Sequence, residues 1–559
     1  MAIILFITLA SYRIELPGLQ YDEVLFVQPA IGAQETIFLY KTWNGIPLMV
    51  MEYLGALKVW IYAPIFYLFG VSPFTIRFPA ILIAALTLFL LYRIMKKEAG
   101  PVAACFLVWL MAVDPAFIFH SRLDWGPTVL MMLLKVSVIG VWFAFVRAPS
   151  FWKLAGLVAL GVLGLWDKLN FAWFAAGVFV AAVLCYPRSF FQLWNTSGKG
   201  VRSAIVGSGL LVLVVAAFLG ARHHGTYSGE TLTGENLKRV WETALHTLNA
   251  NALTTFLVNH PMVYPDTNSR VSSEDVLAGN PMRSSVVPIL IRLAVSVVLI
   301  ALASLRVRFV PSGSLRRICF FALLWVVPFL GIVGCEASGG LQKPHHLMMV
   351  YPFSLVVLAL FVKLGLDMRD RLEGRLAGVL AAVAGIVFMC SGVVVDGRIF
   401  HYLVTDKPVD ARWSSRLYEL VEYIDTESTN ADWIVSIDWG THNALHALST
   451  DSARRKMEDL WLPLKYMHRP INRAAAAELL KKLTEKRRTL VVAFYGENTV
   501  QELSRMNFEA VVRASGLAYP MIKEISQGDN VIYEIYEIRG TGQQSTPEST
   551  LPGATRDPQ

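Results

Sequence analysis

The feature that most constrains this chain is a series of apolar runs, several of them 18 or more residues long. A helical run of that length crosses a hydrocarbon core of about 30 Å, since each residue adds about 1.5 Å. Composition agrees, because 55% of the 559 residues are hydrophobic and only 16% are charged, whereas soluble domains carry about 25% charged residues. We predict a polytopic α-helical membrane protein and exclude disordered, collagen-like and disulfide-scaffold classes.

We predict about eleven spans, with the N-terminus in the cytoplasm. They lie at about 1–14, 76–95, 101–119, 126–146, 154–167, 170–186, 203–221, 286–305, 318–335, 347–365 and 376–396. The cytoplasmic loops then hold 16 Lys and Arg residues, whereas the short outer loops hold only Arg122, Lys168 and Lys343. Because cytoplasmic loops retain Lys and Arg, this asymmetry sets the predicted orientation. It also explains the net charge of +8 without nucleic acid.

The outer side carries long segments under this topology. Residues 15–75 include the apolar run 46–70, which we predict to be a helix lying at the membrane interface, where its tryptophan and tyrosines are stable. Counting this run as a span would invert every later loop. Residues 222–285 form a second, polar outer loop. The domain prediction is therefore a transmembrane domain at 1–398 with large outer loops at 15–75 and 222–285.

The segment after residue 398 has a different pattern. Short β-rich runs at 433–438, 490–495 and 531–538 alternate with helix-like stretches at 473–486 and 498–506. Such alternation predicts an α/β domain, which we place outside the cytoplasm at 399–539. Its histidines are predicted to be surface residues. A tail at 540–559 has a disordered composition, and this polar part explains why the mean hydropathy is only +0.49.

Acidic residues on the outer side are candidates for catalysis. Asp22 and Glu23 follow the first span directly, and Asp124 ends a polar island at 120–124 between two spans. A carboxylate beside an apolar surface can act as a general base or bind a divalent cation. An interfacial turn or helix N-cap at Asp22, and an ion pair between Arg122 and Asp124, are the structural alternatives. Both interpretations stay open on the residues alone.

Basic residues on the same side are candidates for binding a phosphate. They are Arg122, Lys168, Lys343, His345 and His346. The last three precede the tenth predicted span, where a helix N-terminus adds a favourable dipole for an anion. A loop ion pair between Asp167 and Lys168 and a zinc site using the histidines are the alternatives.

The order of four motifs resembles the GT-C superfamily of membrane glycosyltransferases, within it the aminoarabinose transferase of lipid A and the protein O-mannosyltransferases. The motifs are the acidic pair after the first span, an amphipathic segment leading into 68–74 and 77–79, Ser121-Arg122 with Asp124, and a Gly-Leu-x-Asp-Lys element at 164–168. The resemblance covers about residues 1–400. It departs from the family pattern at 343–352, where basic residues, a tyrosine and a proline occur with altered spacing.

The resemblance implies transfer of a sugar from a polyprenyl-phosphate donor to an acceptor on the outer face of the cell (inner) membrane, with inversion at the anomeric carbon. Asp22, assisted or replaced by Glu23, is the predicted base, and Asp124 completes the catalytic set. The basic residues named above are predicted to bind the donor phosphate. The implied acceptor is a lipid, glycan or protein, and no nucleic acid takes part. The sequence does not decide whether a divalent cation is required.

A transporter or flippase for a lipid-linked sugar is the main alternative function. Transporters often contain two similar halves and place polar residues near the middle of the membrane. This sequence shows no internal repeat, and its candidate polar residues gather at the outer surface, which favours an enzyme. A non-catalytic relative that anchors the C-terminal domain is a third alternative. No P-loop, GxSxG or HExxH motif occurs, so ATP-driven transport has no support.

Overall fold

The structure is a computed structural model, which describes residues 1–32, 41–196, 198, 202, 312–337, 344–405, 411–467, 473–499 and 502–540. The chain divides into two compact units. Among the described residues, the membrane unit comprises those up to Trp413 and the α/β unit those from Ser414 onward. Several predictions lie outside the described residues: the spans 203–221 and 286–305, the loop 222–285, Lys343 and the tail beyond residue 540.

The described part of the membrane unit consists mainly of helices. In chain order they are α1 (Ala2–Ser11), α2 (Tyr21–Val24), α3 (Val27–Ala30), α4 (Leu57–Phe69), α5 (Pro73–Ala112), α6 (Pro115–Leu123), α7 (Thr128–Arg147), α8 (Phe151–Asp167), α9 (Phe171–Cys185), α10 (Pro187–Thr196), α11 (Ser312–Ala337), α12 (Pro344–Leu347), α13 (Phe353–Asp367) and α14 (Leu372–Val404).

Four stretches among the described residues are long and apolar enough to cross a membrane. They are Pro73–Ala112, Thr128–Arg147, Gly313–Cys335 and Gly374–Val404. Helices α1, α4 and α9 are shorter and also apolar. The chain is therefore a membrane protein. Its total of about eleven spans stays a prediction.

Helix α5 contains a break that separates two predicted spans. The backbone of Gly100 leaves the helical region, with φ 85° and ψ 169°, and Pro101 follows it. Proline lacks an N–H and cannot continue the preceding helical hydrogen bonds. The span predicted at 76–95 and the first part of that predicted at 101–119 therefore fall in one apolar element, which changes direction at Gly100.

The predicted continuity of the span 101–119 is wrong. Helix α5 ends at Ala112, and a new helix, α6, begins at Pro115. The carboxylate of Asp114 accepts the backbone N–H of Ala116 at 3.2 Å and so caps α6. An Asp cap followed by proline at the first helical position is a strong start signal, and it overrides the apolar pattern here.

The prediction of one interfacial helix over 46–70 is wrong in its first part. Residues 41–55 form a three-stranded antiparallel sheet of β1 (Lys41–Trp43), β2 (Ile46–Met51) and β3 (Leu54–Gly55). Asn44 and Gly45 both have positive φ, 48° and 80°, as a two-residue hairpin turn requires. The helical part of the run is limited to α4.

The α/β unit is built on a five-stranded sheet in the order β5-β4-β6-β8-β7. Its elements are α15 (Leu417–Glu427), β4 (Trp433–Ser436), α16 (Thr441–Leu448), α17 (Asp451–Arg454), β5 (Met457–Asp459), α18 (Trp461–Lys465), α19 (Arg473–Glu485), β6 (Thr489–Phe494), α20 (Glu502–Ser515), β7 (Met521–Gln527) and β8 (Asn530–Ile538). Strand β4 pairs in parallel with β5 and β6, whereas β8 pairs antiparallel with β6 and β7.

Strands β4, β6 and β8 occur where the sequence shows β-rich runs. The predicted helix at 498–506 is displaced, because α20 begins at Glu502 and continues to Ser515. Phe508 and Val512 lie four residues apart and are both buried in the core of the unit, so the helix extends as far as its apolar face has a partner. Helix α14 continues to Val404, beyond the predicted domain boundary at 398.

Two histidines of α16 correct the prediction that the C-terminal histidines lie at the surface. His442 is buried, and its ring centre lies 5.4 Å from that of His446. Burial, with a further contribution from His446, lowers the pKa of His442 to about 3. Burial and the nearby Arg454 lower the pKa of His446 to about 4. Both side chains are therefore neutral in the folded unit.

We expect the α/β unit to lose stability as the pH falls from about 7 to about 4. A histidine in the unfolded chain has a pKa of about 6.5, so the unfolded state binds more protons than the folded state across this window. Melting curves of the full-length protein in detergent should show an acid-sensitive transition. The variant His446→Gln should lose less stability on acidification than the wild type. Equal acid sensitivity of the two proteins would contradict this explanation.

Candidate active site

Asp124 is fixed at the C-terminal end of α6. Its backbone is left-handed, with φ 42° and ψ 47°, a conformation that Asp tolerates better than most residues. Its Oδ2 lies 2.7 Å from Nζ of Lys58, and its Oδ1 accepts the backbone N–H of Val129 at 3.0 Å. Both carboxylate oxygens are therefore held in place.

Lys58 is a site residue that the sequence analysis missed. It lies on α4, is 2% exposed, and is the only basic residue in the run 46–70. Its amino group also lies 5.1 Å and 5.4 Å from the ring centres of Phe26 and Tyr62. A lone charge in an apolar run is costly unless it is paired, and that signal in the sequence could have identified Lys58.

Asp22, the predicted base, lies on α2 beside the loop that follows α6. Its Oδ2 accepts the indole N–H of Trp125 at 2.5 Å. Its own backbone N–H donates to the side chain of Gln20 at 2.6 Å, as part of the cap of α2. Because Trp125 directly follows Asp124, the structure brings Asp22 and Asp124 to the same loop.

Glu23 faces a different partner. Its buried carboxylate accepts two hydrogen bonds from Arg77, Nε to Oε1 at 2.5 Å and Nη2 to Oε2 at 2.9 Å. It also accepts the backbone N–H of Gln20 at 3.2 Å. The remaining guanidinium donors of Arg77 bind the carbonyl oxygens of Ile14, Pro17 and Gly18. These contacts favour a structural role for Glu23, which joins the segment after α1 to the start of α5.

Arg122 is fully buried and donates to backbone carbonyls at the end of α1. Its acceptors are Ala10, Tyr12, Arg13 and Leu16. Helix C-termini leave carbonyl groups without intrahelical partners, and this guanidinium satisfies those of Ala10 and of the C-cap residue Tyr12. The ion pair of Asp124 is formed with Lys58, so the alternative of an Arg122–Asp124 pair is wrong.

Lys168 follows α8 and is buried, and its amino group makes no hydrogen bond to any described residue. It lies beside Gly126, where an added Cβ would stand 3.2 Å from Nζ. Both carboxylate oxygens of Asp167 are also buried without a hydrogen bond to the described residues, so the predicted loop ion pair does not form. Burial lowers the pKa of Lys168 to about 8, against the raising effects of Asp124, Asp167 and Asp22.

His345, on α12, lies next to the same glycine. Its ring packs on Trp125 with 4.9 Å between ring centres, and its Cδ2 is 3.3 Å from where a Cβ of Gly126 would stand. His346 packs beside it, with ring centres 4.1 Å apart. Gly126 has φ 61°, so any other residue would be strained there and would crowd both Lys168 and His345.

The site therefore combines carboxylates that can take a proton with cations that can hold an anion. In the part of the chain that the structure describes, no three His, Cys, Asp or Glu side chains are grouped so that they could hold a metal ion. The zinc alternative thus has no ligand set among these residues.

Comparison with known proteins supports the family resemblance that the order of the motifs indicates. Residues 56–219 match the family of dolichyl-phosphate-mannose-protein mannosyltransferases. The structure is similar to the crystal structure of ArnT from Cupriavidus metallidurans in the apo state, with a TM-score of 0.52, 11% identity and 96% of each chain covered. The chain has the GT-C fold of membrane glycosyltransferases. The resemblance inferred from the motifs is confirmed.

Two further structures are similar to this chain. ArnT bound to undecaprenyl phosphate matches with a TM-score of 0.45 and 13% identity over 96% of each chain. The archaeal oligosaccharyltransferase AglB from Archaeoglobus fulgidus, in complex with an inhibitory peptide and a dolichol-phosphate, matches with a TM-score of 0.43 and 11% identity, over 90% of this chain and 71% of AglB. A comparison with curated protein sequences gives no significant match.

Proposed function

We propose that this chain transfers a sugar from a polyprenyl-phosphate donor to an acceptor on the outer face of the membrane, with inversion. The observation that carries the proposal is the meeting of Asp22, the Lys58–Asp124 pair, Lys168 and His345 around one loop. The sequence match to a family whose description names a dolichyl-phosphate mannose supports the donor class.

Asp22 is the proposed general base. In an inverting transfer, one base takes the proton of the acceptor hydroxyl while its oxygen bonds to the anomeric carbon. The bond between that carbon and the phosphate oxygen breaks, and the lipid phosphate leaves with the electron pair. The indole N–H of Trp125 orients the Asp22 carboxylate.

Cations are proposed to stabilise the leaving phosphate. The lipid phosphate already carries negative charge, so it needs positive groups rather than a proton donor. Lys168 beside Gly126 supplies such a group, and His345 beside the same glycine supplies a ring N–H donor. Lys58 neutralises Asp124, whose charge would otherwise repel the phosphate.

The structure changes the proposed roles of two predicted residues. The guanidinium of Arg122 donates to backbone carbonyls, and the carboxylate of Glu23 accepts from Arg77. We therefore propose structural roles for both. Lys343 and His346 stay in the proposed phosphate-binding set.

We place the protein in the cell (inner) membrane, with its N-terminus in the cytoplasm. The excess of Lys and Arg in the loops assigned to the cytoplasm supports this orientation. It places the α/β unit, which begins at Ser414, outside the cytoplasm with Asp22 and Lys168. Helix α4, with Tyr67 and Phe69 exposed at its end, suits the interface on that side.

We expect kcat/KM for transfer to fall as the pH rises through about 8. Lys168 is cationic below its pKa of about 8, and its deprotonation removes a positive charge facing the phosphate. In the variant Lys168→Arg, the fall in kcat/KM should move to a pH about two units higher, since a guanidinium stays charged. Lys153→Arg is the control, because Lys153 donates to the carbonyls of Ala144 and Ala148 near the other end of α7. If kcat/KM of Lys168→Arg fell at the same pH as that of the wild type, the proposed role of Lys168 would be contradicted.

Mass spectrometry of envelope glycans, with and without the protein, tests the proposed function. We expect one sugar modification to disappear and to return with the wild-type chain. Purified protein with a polyprenyl-phosphate-linked sugar and envelope extract as acceptor should then form the product directly. A flippase would instead move the labelled donor across vesicles without forming product, and that result would overturn the proposal.

A further inference from the structure

A lysine is buried inside the membrane unit, and all of its hydrogen bonds to described residues go to backbone oxygens. Lys135 lies on α7 and is 0% exposed. Its Nζ donates to the carbonyl oxygens of Met348 at 2.9 Å, Met349 at 3.0 Å and Tyr351 at 2.6 Å. An ammonium group has three N–H donors, and each finds an acceptor here. An intramembrane lysine is expensive, so its retention points to a function.

The three acceptors belong to the turn that links α12 to α13. Within this turn, the N–H of Met349 donates to His346 O, and the N–H of Tyr351 donates to Met348 O, each at 3.2 Å. The Tyr351 ring also stacks on Phe117, with 6.0 Å between ring centres. Lys135 therefore supplies the polar attachment of this turn to α7.

Helix α7 also carries the loop of the candidate site. It begins at Thr128, directly after Gly126 and Pro127, and Lys135 lies seven residues further, about 10 Å along the axis. His345 packs on Trp125 at the loop. The segment from His345 to the turn is thus attached to α7 at two levels, by a ring contact at the loop and by an ammonium group two turns deeper.

We propose that Lys135 is a positioning residue that fixes the turn 348–351 on α7 and thereby holds His345 beside Lys168. The attachment of the turn to α7 follows from the hydrogen bonds alone, whereas the effect of Lys135 on donor binding rests on the proposed function. A phosphate held between a histidine and a lysine is sensitive to their separation, because a displacement of about 1 Å costs up to about 100-fold in rate.

The test compares three variants of the full-length protein in detergent. Lys135→Met removes the donors at similar side-chain length, and Lys135→Arg keeps charge and donors. Lys153→Met is the matched control. Lys153 lies on α8 and also donates to two backbone carbonyls, those of Ala144 and Ala148 at the C-terminal end of α7. Hydrogen exchange, followed by mass spectrometry, reports on the peptide covering 344–353.

We expect exchange in that peptide to be about tenfold faster in Lys135→Met, restored in part by Lys135→Arg and unchanged in Lys153→Met. If Lys135→Met does not fold, Lys135→Gln, which keeps two donors, should show a smaller increase of the same kind. Unchanged exchange in these variants would overturn the placement.

Kinetics with a polyprenyl-phosphate-linked sugar separates placement from function. We expect Lys135→Met to raise KM for the donor about tenfold with a smaller change in kcat, and Lys135→Arg to recover part of the loss. Faster exchange with an unchanged KM would overturn the effect on His345. If the wild-type protein itself shows no transfer, the proposed function fails, and the exchange result still decides the placement.

Discussion

Asp22→Asn is expected to lower kcat for sugar transfer by about 100-fold to 10,000-fold, the usual contribution of a general base, and to leave donor binding intact. Asn has the shape of Asp, and its amide oxygen can still accept the indole N–H of Trp125, which Asp22 accepts now at 2.5 Å. It cannot take a proton from the acceptor. The measurement is single-turnover transfer together with binding of the lipid donor to the purified protein.

Asp396→Asn is the matched control for this variant. Asp396 is a buried carboxyl group on α14 that is not part of the site, so transfer should stay close to that of the wild type. Asp124→Asn separates the two carboxylates of the loop, because it leaves the ammonium group of Lys58 buried without its counter-charge. We expect that variant to lose stability as well as activity. Normal transfer by Asp22→Asn would refute the proposed base.

The second large effect is expected on stability. Glu23→Gln should lower the free energy of unfolding by about 3–5 kcal/mol, the usual cost of removing one partner of a buried ion pair. The guanidinium of Arg77 would keep its three backbone acceptors and one amide oxygen, but it would lose its counter-charge and face an NH2 group in place of the second carboxylate oxygen. The measurement is thermal unfolding in detergent. If Glu23 instead replaced Asp22 as base, Glu23→Gln would lose kcat and melt normally.

An exposed ion pair in the same segment provides the control. Arg13 and Glu15 lie 3.0 Å apart with side chains 54% and 43% exposed, so Glu15→Gln should change stability by less than about 1 kcal/mol. A double variant, Glu23→Leu with Arg77→Met, should melt closer to the wild type than either single variant, because no unpaired charge stays buried. Equal destabilisation by Glu15→Gln and Glu23→Gln would contradict the assignment.

The sequence predicts the elements whose signal is local. The apolar run at 126–146 corresponds to α7 and that at 170–186 to α9, because spanning length is a property of consecutive residues. The corrections are also local. The Asn44-Gly45 turn and the Asp114 cap are start and stop signals in the sequence, and each prevails over hydrophobicity averaged across a longer window.

The site was only partly predictable because its pairings join distant parts of the chain. Asp22 and Asp124 could be selected by their position beside spans, but Lys58 is 66 residues from Asp124 in the sequence and nothing local marks it as the partner. Arg122 shows the same limit. Its acceptors lie more than 100 residues earlier in the chain. An arginine beside a span suggests a phosphate-binding residue, whereas in the fold its guanidinium donates to backbone carbonyls.

The two buried arginines set an order for assembly of the protein during synthesis. Arg77 and Arg122 bind carbonyl groups of the segment just after α1, which leaves the ribosome long before either arginine. That segment can reach its final position only after α5 and α6 have been made. Asp22 lies a few residues further along the same segment. The proposed base is therefore translated before both arginines, yet it is brought into position only after both have been made.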